Sequence, residues 1–508
     1  MTDRVTNKWA CLAIACLATL LLSLDLTVLH LALPRLTADL GASSTQLLWI
    51  GDVYGFALAG LLVTMGNLGD RVGRKRLLLI GAAAFGVASA VTAYAPSPEL
   101  LIAARALLGV AGATIMPSTL SIVRNVFTEP GERTAAVGIW SAMSAAGFAV
   151  GPVVGGLLLD HYWWGSVFLL NVPVMLLVLA GGLVLLPESR NPRAGRLDPL
   201  SAGLSVVGVV ALVHAVKEAA HDGLAQPDVP AAGAAGVLLL GWFARRQTRL
   251  AEPLIDVRLF ARRAFSASIL TNLLAIFAMS AMMLMFAWYL QLVLGWSPLQ
   301  AGLAQLPGGL SGAVGGVLAA RLIRPLGRGG VVALGLAMNA VSFLYYTTLG
   351  AELNYLTLLP AMVVGGVGVG FAFTVNNDNV LATAPRERAG AAAAVSETAF
   401  ELGAALGIAV LGTVLTSVYR TNLDLPAALG GPAGDTARES LAGAARTAAV
   451  LPPGQAEALM AAAREAFLTG VHVTSLVTSG VLALVAVLAL VGLRGVPKEI
   501  PEEALTRA

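Results

Sequence analysis

Four carboxylates stand inside long apolar stretches of this chain: Asp25, Asp52, Glu397 and Glu401. A carboxylate at bilayer depth costs about 2.5–3.5 kcal/mol, so such groups are kept where they face a cavity, a partner or a cargo. Asp378 lies nearer the end of its apolar stretch. Glu397 and Glu401 are four residues apart and share one face of a helix. Two like charges so close resist double ionisation in a low dielectric, so one of them holds a proton near neutral pH. A lipophilic cation arriving there displaces that proton, which is the simplest physical scheme for antiport. The competing reading is a pair satisfied by the backbone, by Ser396 and Thr398, or by a water-filled vestibule.

Asp25 lies about 16 residues into its apolar stretch, roughly 24 Å along a helix. Asp52 and Arg105 fall a few residues from the ends of theirs, so all three belong to the outer half of one bundle. A carboxylate tuned by burial and by a neighbouring arginine suits a proton carrier. The alternative is a static Arg–Asp pair that holds the bundle together. His30 is a further group in the titrating range, although a capped or loop-facing histidine is the commoner case. Met279, Met282, Met283, Met285, Phe286, Trp288 and Tyr289 make one stretch soft and aromatic. Packing explains most of them, and Met285, Trp288 and Tyr289 are the candidates for an adaptable pocket that attracts cations.

The elements that must position these groups are helices of about 20 apolar residues, the length that spans a hydrocarbon core. About fourteen such stretches are present: 9–33, 46–67, 77–95, 99–122, 134–159, 168–186, 199–217, 229–244, 264–292, 298–320, 329–349, 354–376, 391–418 and 468–493. The expected fold is therefore an all-α polytopic membrane protein. Of its 508 residues 57% are apolar and 12% charged, against roughly 25% charged in soluble domains. That excludes a soluble enzyme and a disordered chain. The net charge of +3 forms no groove or stripe, so no nucleic-acid partner is expected. Cys11 and Cys16 share one apolar stretch and imply neither a disulfide framework nor a metal site. No Gly-x-x-x-x-Gly-Lys-Ser/Thr loop occurs, so no nucleotide is expected and the proton motive force is the driving agent. One charge crossing 100 mV is worth about 2.3 kcal/mol, enough for a gradient of roughly forty-fold.

Most of the 32 Lys and Arg residues fall on one side if both termini are cytoplasmic. Arg71, Arg74, Lys75 and Arg76, then Arg190, Arg193 and Arg196, then Arg245, Arg246 and Arg249 mark that side. The loop 419–467 falls outside and reads as a hairpin or a flap, with helical composition over 436–450 and 454–467. Asp70-Arg71-Val72-Gly73-Arg74 is answered by Arg324-Pro325-Leu326-Gly327-Arg328, and Pro130–Arg133 by Pro385–Arg388, at an offset of about 254–255 residues. Such a repeat predicts an N-terminal six-helix bundle over 1–190 and a C-terminal one over 264–508. Two additional helices and a linker fill 191–263. Rocking of one bundle against the other about a midplane site then gives alternating access.

Gly66, Asp70, Arg71, Gly73 and Arg74 form a tight turn, where Asp70 meets either a helix N-terminus or Arg133. Contacts made in one state and broken in the other constitute a latch; the plain alternative is a positive-inside anchor. Gly147, Gly151, Pro152, Gly155 and Gly156 stand inside the stretch 134–159. Pro152 kinks the helix and the glycines permit close helix contact.

These segments carry a family resemblance. Leu24-Asp25-Leu26-Thr27-Val28-Leu29-His30-Leu31-Ala32-Leu33-Pro34, Gly66–Arg76, Arg105-Ala-Leu-Leu-Gly109-Val-Ala-Gly112 and the run 147–156 resemble the signatures of the major facilitator superfamily, in its fourteen-helix drug:proton antiporter branch. His30 and Gly165 depart from the residues usual at their positions, Asn and Arg. Gln46–Tyr54 and Ile115–Ser121 are similar to an antiseptic efflux pump of that branch. The resemblance implies a major facilitator fold and export of lipophilic mono- and dicationic compounds from the plasma membrane, by a chain expected to be monomeric. It also implies proton coupling and cargo binding by Asp25, Asp52 and Glu397 or Glu401, with proton transfer linked to Arg105. A dedicated exporter of one endogenous antibiotic is the rival reading, and a membrane sensor without transport a weaker one.

Overall fold

Helices account for nearly all of the chain. The computed structural model describes residues 7–494 apart from 191–197, 223–227, 251–252, 255–256, 352–354, 384–388, 427–428 and 430. The first group comprises α1 (Lys8–Leu40), α2 (Ser44–Val72), α3 (Arg74–Ala93), α4 (Pro98–Val126), α5 (Pro130–His161), α6 (Ser166–Leu169) and α7 (Asn171–Leu185). A pair follows, α8 (Pro199–Asp222) and α9 (Asp228–Gln247). The last group is α10 (Arg263–Trp288), α11 (Pro298–Tyr346), α12 (Tyr355–Thr383), α13 (Ala389–Asn422), α14 (Gly431–Glu439), α15 (Leu441–Ala448) and α16 (Pro453–Gly492). Every expected stretch falls on a helix. Nine stretches of the described residues are long and apolar enough to cross a membrane by length and composition.

The helix starts are written locally. Ser43 with Gln46, and Ser297 with Gln300, form reciprocal capping boxes on α2 and α11. Ser97 caps α4, and Pro98, Pro130 and Pro298 sit in first turns, where a missing N–H costs nothing. The repeat seen in the sequence reappears in the backbone. Gly73 breaks α2 from α3 at φ 119°, and Gly327 kinks α11 at φ 72°. Both conformations favour a residue without a Cβ.

α1 is the helix most enclosed by others, packed on α4, α5, α7 and α10. Loops alternate between a near end, which carries Lys8, and a far end. α8 and α9 pack on each other, and α8 also touches α2 and α13. At their near end Arg246 makes two bonds to Asp198, at 2.9 and 3.0 Å. That guanidinium, helped by Ser201, holds the Asp198 carboxyl down at about 2.

The segment 419–467 is built rather than loose. α13 continues to Asn422, α14 and α15 form a short helical hairpin, and α16 begins at Pro453, before the expected 468. Apolar burial of Ala437, Leu441 and Ala444, with Tyr419 Oη donating to the Ala437 carbonyl at 2.8 Å, holds the hairpin down. Arg446 reaches from it to the Thr37 carbonyl at the far end of α1.

Candidate functional site

Asp25 and Arg105 meet in the interior of the first group. Arg105 Nη1 donates to Asp25 Oδ2 at 2.8 Å, and the two residues are 0% and 3% exposed. Arg105 Nε donates to the Ile50 carbonyl of α2, and its guanidinium lies 4.8 Å from the Tyr54 ring and 5.8 Å from that of Phe168. Aromatic faces and an opposite charge are what a desolvated guanidinium needs. The other carboxylate oxygen is also engaged: Asn171 Nδ2 donates to Asp25 Oδ1 at 2.7 Å and to Ser89 Oγ at 3.1 Å. Asn171 follows Leu170, whose backbone stays helical between α6 and α7, so the amide points inward from the buried face of one continuous span. One network therefore ties α1, α3, α4 and α7. Both Asp25 oxygens are occupied within the bundle, so in this conformation they face protein groups and not a cargo.

The side chains of Asp52, Asp70, Arg133, Glu397 and Glu401 lie outside the described residues, and only their helical placement is stated. Asp52 is on α2, and Glu397 and Glu401 are on α13. α2 and α13 pack against each other across the two groups, where Trp49 and Phe56 share an apolar cluster with Leu402. The backbone positions of these acids are thus brought to one boundary. Beside position 397, Asn272 Nδ2 donates to Ser396 Oγ at 3.2 Å. Asp378 of α12 pairs with Arg328 beside the Gly327 kink of α11, and Arg328 Nη1 also donates to Asn379 Oδ1 at 2.9 Å.

The three candidates for an adaptable pocket are packed in this conformation, as expected of most of the stretch. Met285, Trp288 and Tyr289 are buried in the core of the last group. Trp288 packs on Phe467, and Tyr289 Oη donates to the Gly350 carbonyl at 2.8 Å. At Tyr289–Val293 α10 widens into a π-turn, from which Gln291 reaches the Leu31 carbonyl of α1. His30 is neither a cap nor a loop residue; it stands within α1, half-buried, with Nδ1 enclosed and unpartnered.

The turn 66–76 shows what sequence reasoning missed. Gly66 lies against Pro117 of α4, and Arg71 is exposed. The N-terminus of α3 is capped by Glu188, which accepts from Lys75 N at 3.2 Å, while Arg74 N donates to the Ser189 carbonyl at 3.0 Å. A Cβ on Gly73 would sit 2.5 Å from Glu188 Oε1. Lys8 and Glu132 add an ion pair between α1 and α5 at the same end. The signal was Pro187-Glu188-Ser189, an acid just past an apolar stretch. Glu188→Gln keeps one acceptor but loses the charge at a helix N-terminus. It is expected to lower stability by about 0.5–1 kcal/mol, read as a fall in Tm, with cargo affinity unchanged. A weakened affinity with no change in Tm goes against this capping role.

The glycine-proline run is a contact surface on two sides. Gly147 and Gly155 abut Leu20 and Val28 of α1. Gly156 and Pro152 instead touch α11 of the last group: Cβ atoms built on Gly156 and Gly302 would lie 2.5 Å from the Pro298 carbonyl oxygen and 2.1 Å from the Pro152 carbonyl oxygen. Ser297 Oγ donates to Asp160 Oδ2 at 2.8 Å beside them. With Gln291–Leu31 and Arg446–Thr37, these contacts gather the two groups together at the far end.

Among the described residues no group of three or more His, Cys, Asp or Glu side chains is placed to hold a metal ion. The chain is 46% identical over 491 residues to the multidrug efflux pump LfrA of Mycolicibacterium smegmatis, covering 97% of each chain. It is 38% identical over 487 residues to the methyl viologen resistance protein SmvA of Salmonella typhimurium, covering 94% of this chain and 96% of that one. The fold matches a bacterial homolog of the lysosomal transporter Spinster, solved inward-facing and unoccupied, with TM-score 0.67, 18% identity and coverage of 97% and 98%. The family model described as Major Facilitator Superfamily matches residues 15–408, and with relatives this similar along its length the chain belongs to that superfamily.

Proposed function

We propose that this chain is a proton-coupled multidrug efflux antiporter that exports lipophilic, often cationic small molecules in exchange for protons. The observation that carries the proposal is the Asp25–Arg105 pair, a titratable carboxylate fully enclosed among α1, α3, α4 and α7. Protonating Asp25 cancels its charge and releases Arg105, which converts proton binding into rearrangement of the bundle. The likeness to LfrA and SmvA supports drug-type cargo. Near end and far end are read as cytoplasm and exterior of the plasma membrane. The far-end contacts then describe an inward-facing state. The bundles 1–190 and 264–508 rock against each other, the pair from 191–263 flanks them, and the monomer is the working unit.

In this scheme Glu397 and Glu401 on α13, with Asp52 on α2, supply the acidic positions where cation and proton exclude each other. Trp288, Tyr289 and Met285 are the soft, aromatic candidates for cargo contact, reached when the last group rearranges. Gly66, Asp70, Arg71, Gly73, Arg74 and Arg133 form the near-end latch. Drug-dependent proton release from purified protein, screened over cationic, zwitterionic and neutral compounds, tests the proposal. Absence of release with every compound overturns it. Glu397→Gln and Glu401→Gln are each expected to weaken export of a dication such as methyl viologen by about tenfold, which is 1.4 kcal/mol. Export of a monocation such as ethidium should fall less. Equal loss for a neutral drug assigns these acids to proton coupling and not to cargo.

A further inference from the structure

We infer that Asn171 is an amide switch that recognises both protonation states of Asp25. Its Nδ2 donates to Asp25 Oδ1 at 2.7 Å and to Ser89 Oγ at 3.1 Å. Its Oδ1 is buried with no hydrogen-bond partner, in a residue 0% exposed. A buried, unmatched acceptor costs free energy and needs a reason. The neighbours provide one. Ser89 is a hydroxyl, able to donate or accept, and Asp25 accepts when ionised but has an O–H to donate when protonated. With Asp25 ionised, the orientation present here satisfies both. Arg105 donates to Oδ2, so the incoming proton settles on Oδ1, where the amide nitrogen then faces an O–H and the contact fails. Turning the amide by half a revolution puts Oδ1 where it accepts from both the Asp25 O–H and Ser89 O–H.

The proton balance is simple. One proton passes from water to Asp25, the carboxylate becomes a neutral acid, and Arg105 loses its counter-charge. Asn171 neither gains nor loses a proton. It is a positioning residue that supplies a donor to one form and an acceptor to the other. The groups facing Asp25 from the surrounding helices are Arg105 on α4, Ser89 on α3 and Asn171 on α7. Arg105 is the charge among them, and it remains protonated throughout. Tyr54 and Phe168 enclose the guanidinium with aromatic faces. The inference rests on Asp25 being the coupling carboxylate.

The test is a pH titration of the full chain in proteoliposomes. The Asp25 carboxylic-acid band is followed by infrared difference spectroscopy, with the Asp25→Asn spectrum subtracted. Ethidium-driven proton release is measured in parallel. Asn171→Leu fills similar space but offers neither donor nor acceptor. Because a bond to the charged form is the stronger one lost, the midpoint is expected to move about one unit to higher pH. The acid C=O stretch should also shift upward as its hydrogen bond disappears. Ser89→Ala leaves the Asn171–Asp25 bond in place and should move the midpoint by less than half as much. An unchanged midpoint and band in Asn171→Leu, with only a lower Tm, overturns the switch. Proton release absent from the wild-type chain, with the band shift present, overturns the antiport reading and leaves the switch standing.

Discussion

Asp25→Asn is expected to abolish proton-driven export, by at least a hundredfold in everted vesicles. The substitution also leaves Arg105, 0% exposed, without its counter-charge. Removing one partner of a buried pair costs about 3–5 kcal/mol, so Tm should fall as well. Stability and mechanism separate in the double variant Asp25→Asn/Arg105→Gln, which contains no orphaned charge. Its Tm should recover most of the loss while export remains absent. If the pair only holds the bundle together, export returns with Tm, and the assignment of Asp25 to coupling is wrong. The result also decides between the two readings left open by the sequence, a proton carrier and a static brace.

Gly302→Ala is the second large effect. Its Cβ would lie 2.1 Å from the Pro152 carbonyl oxygen, a backbone atom that no rotamer change moves aside. α5 and α11 must separate to admit it, and the bond from Ser297 to Asp160 at 2.8 Å is strained with them. Turnover is expected to fall at least tenfold, equivalent to about 1.4 kcal/mol against far-end closure. A cysteine placed at Ala301, buried beside Gly302 at the far end, should react faster with an impermeant thiol reagent from the far side. Wild-type turnover and reactivity together contradict a closing role for this contact. The same reasoning applies to Gly156, whose Cβ would lie 2.5 Å from the Pro298 carbonyl oxygen.

The sequence revealed the helices because apolar length is a one-dimensional signal. It revealed Asp25 and Arg105 because a charge inside such a stretch is conspicuous. Asn171 was invisible for the same reason: a neutral amide among apolar residues carries no comparable insertion cost. Its importance comes from the buried face of the span Ser166–Leu185 that it occupies, opposite Asp25 on α1 and Ser89 on α3. Glu188 was missed because it lies far in sequence from the turn it caps, at Lys75 and Gly73. The soft stretch around Met285 was legible in type but not in direction. Period and composition do not tell a wall facing a cavity from a core against Phe467. The hairpin of α14 and α15 was indicated by composition, yet its seat on Thr37 depended on where the chain returned.

Among the described residues, the groups that bind the Asp25 carboxylate come from before position 190 and none from α10 onward. The Asp25 network is thus self-contained in the first group of helices. Substitutions from α10 onward leave the hydrogen bonds among Asp25, Arg105, Asn171 and Ser89 in place.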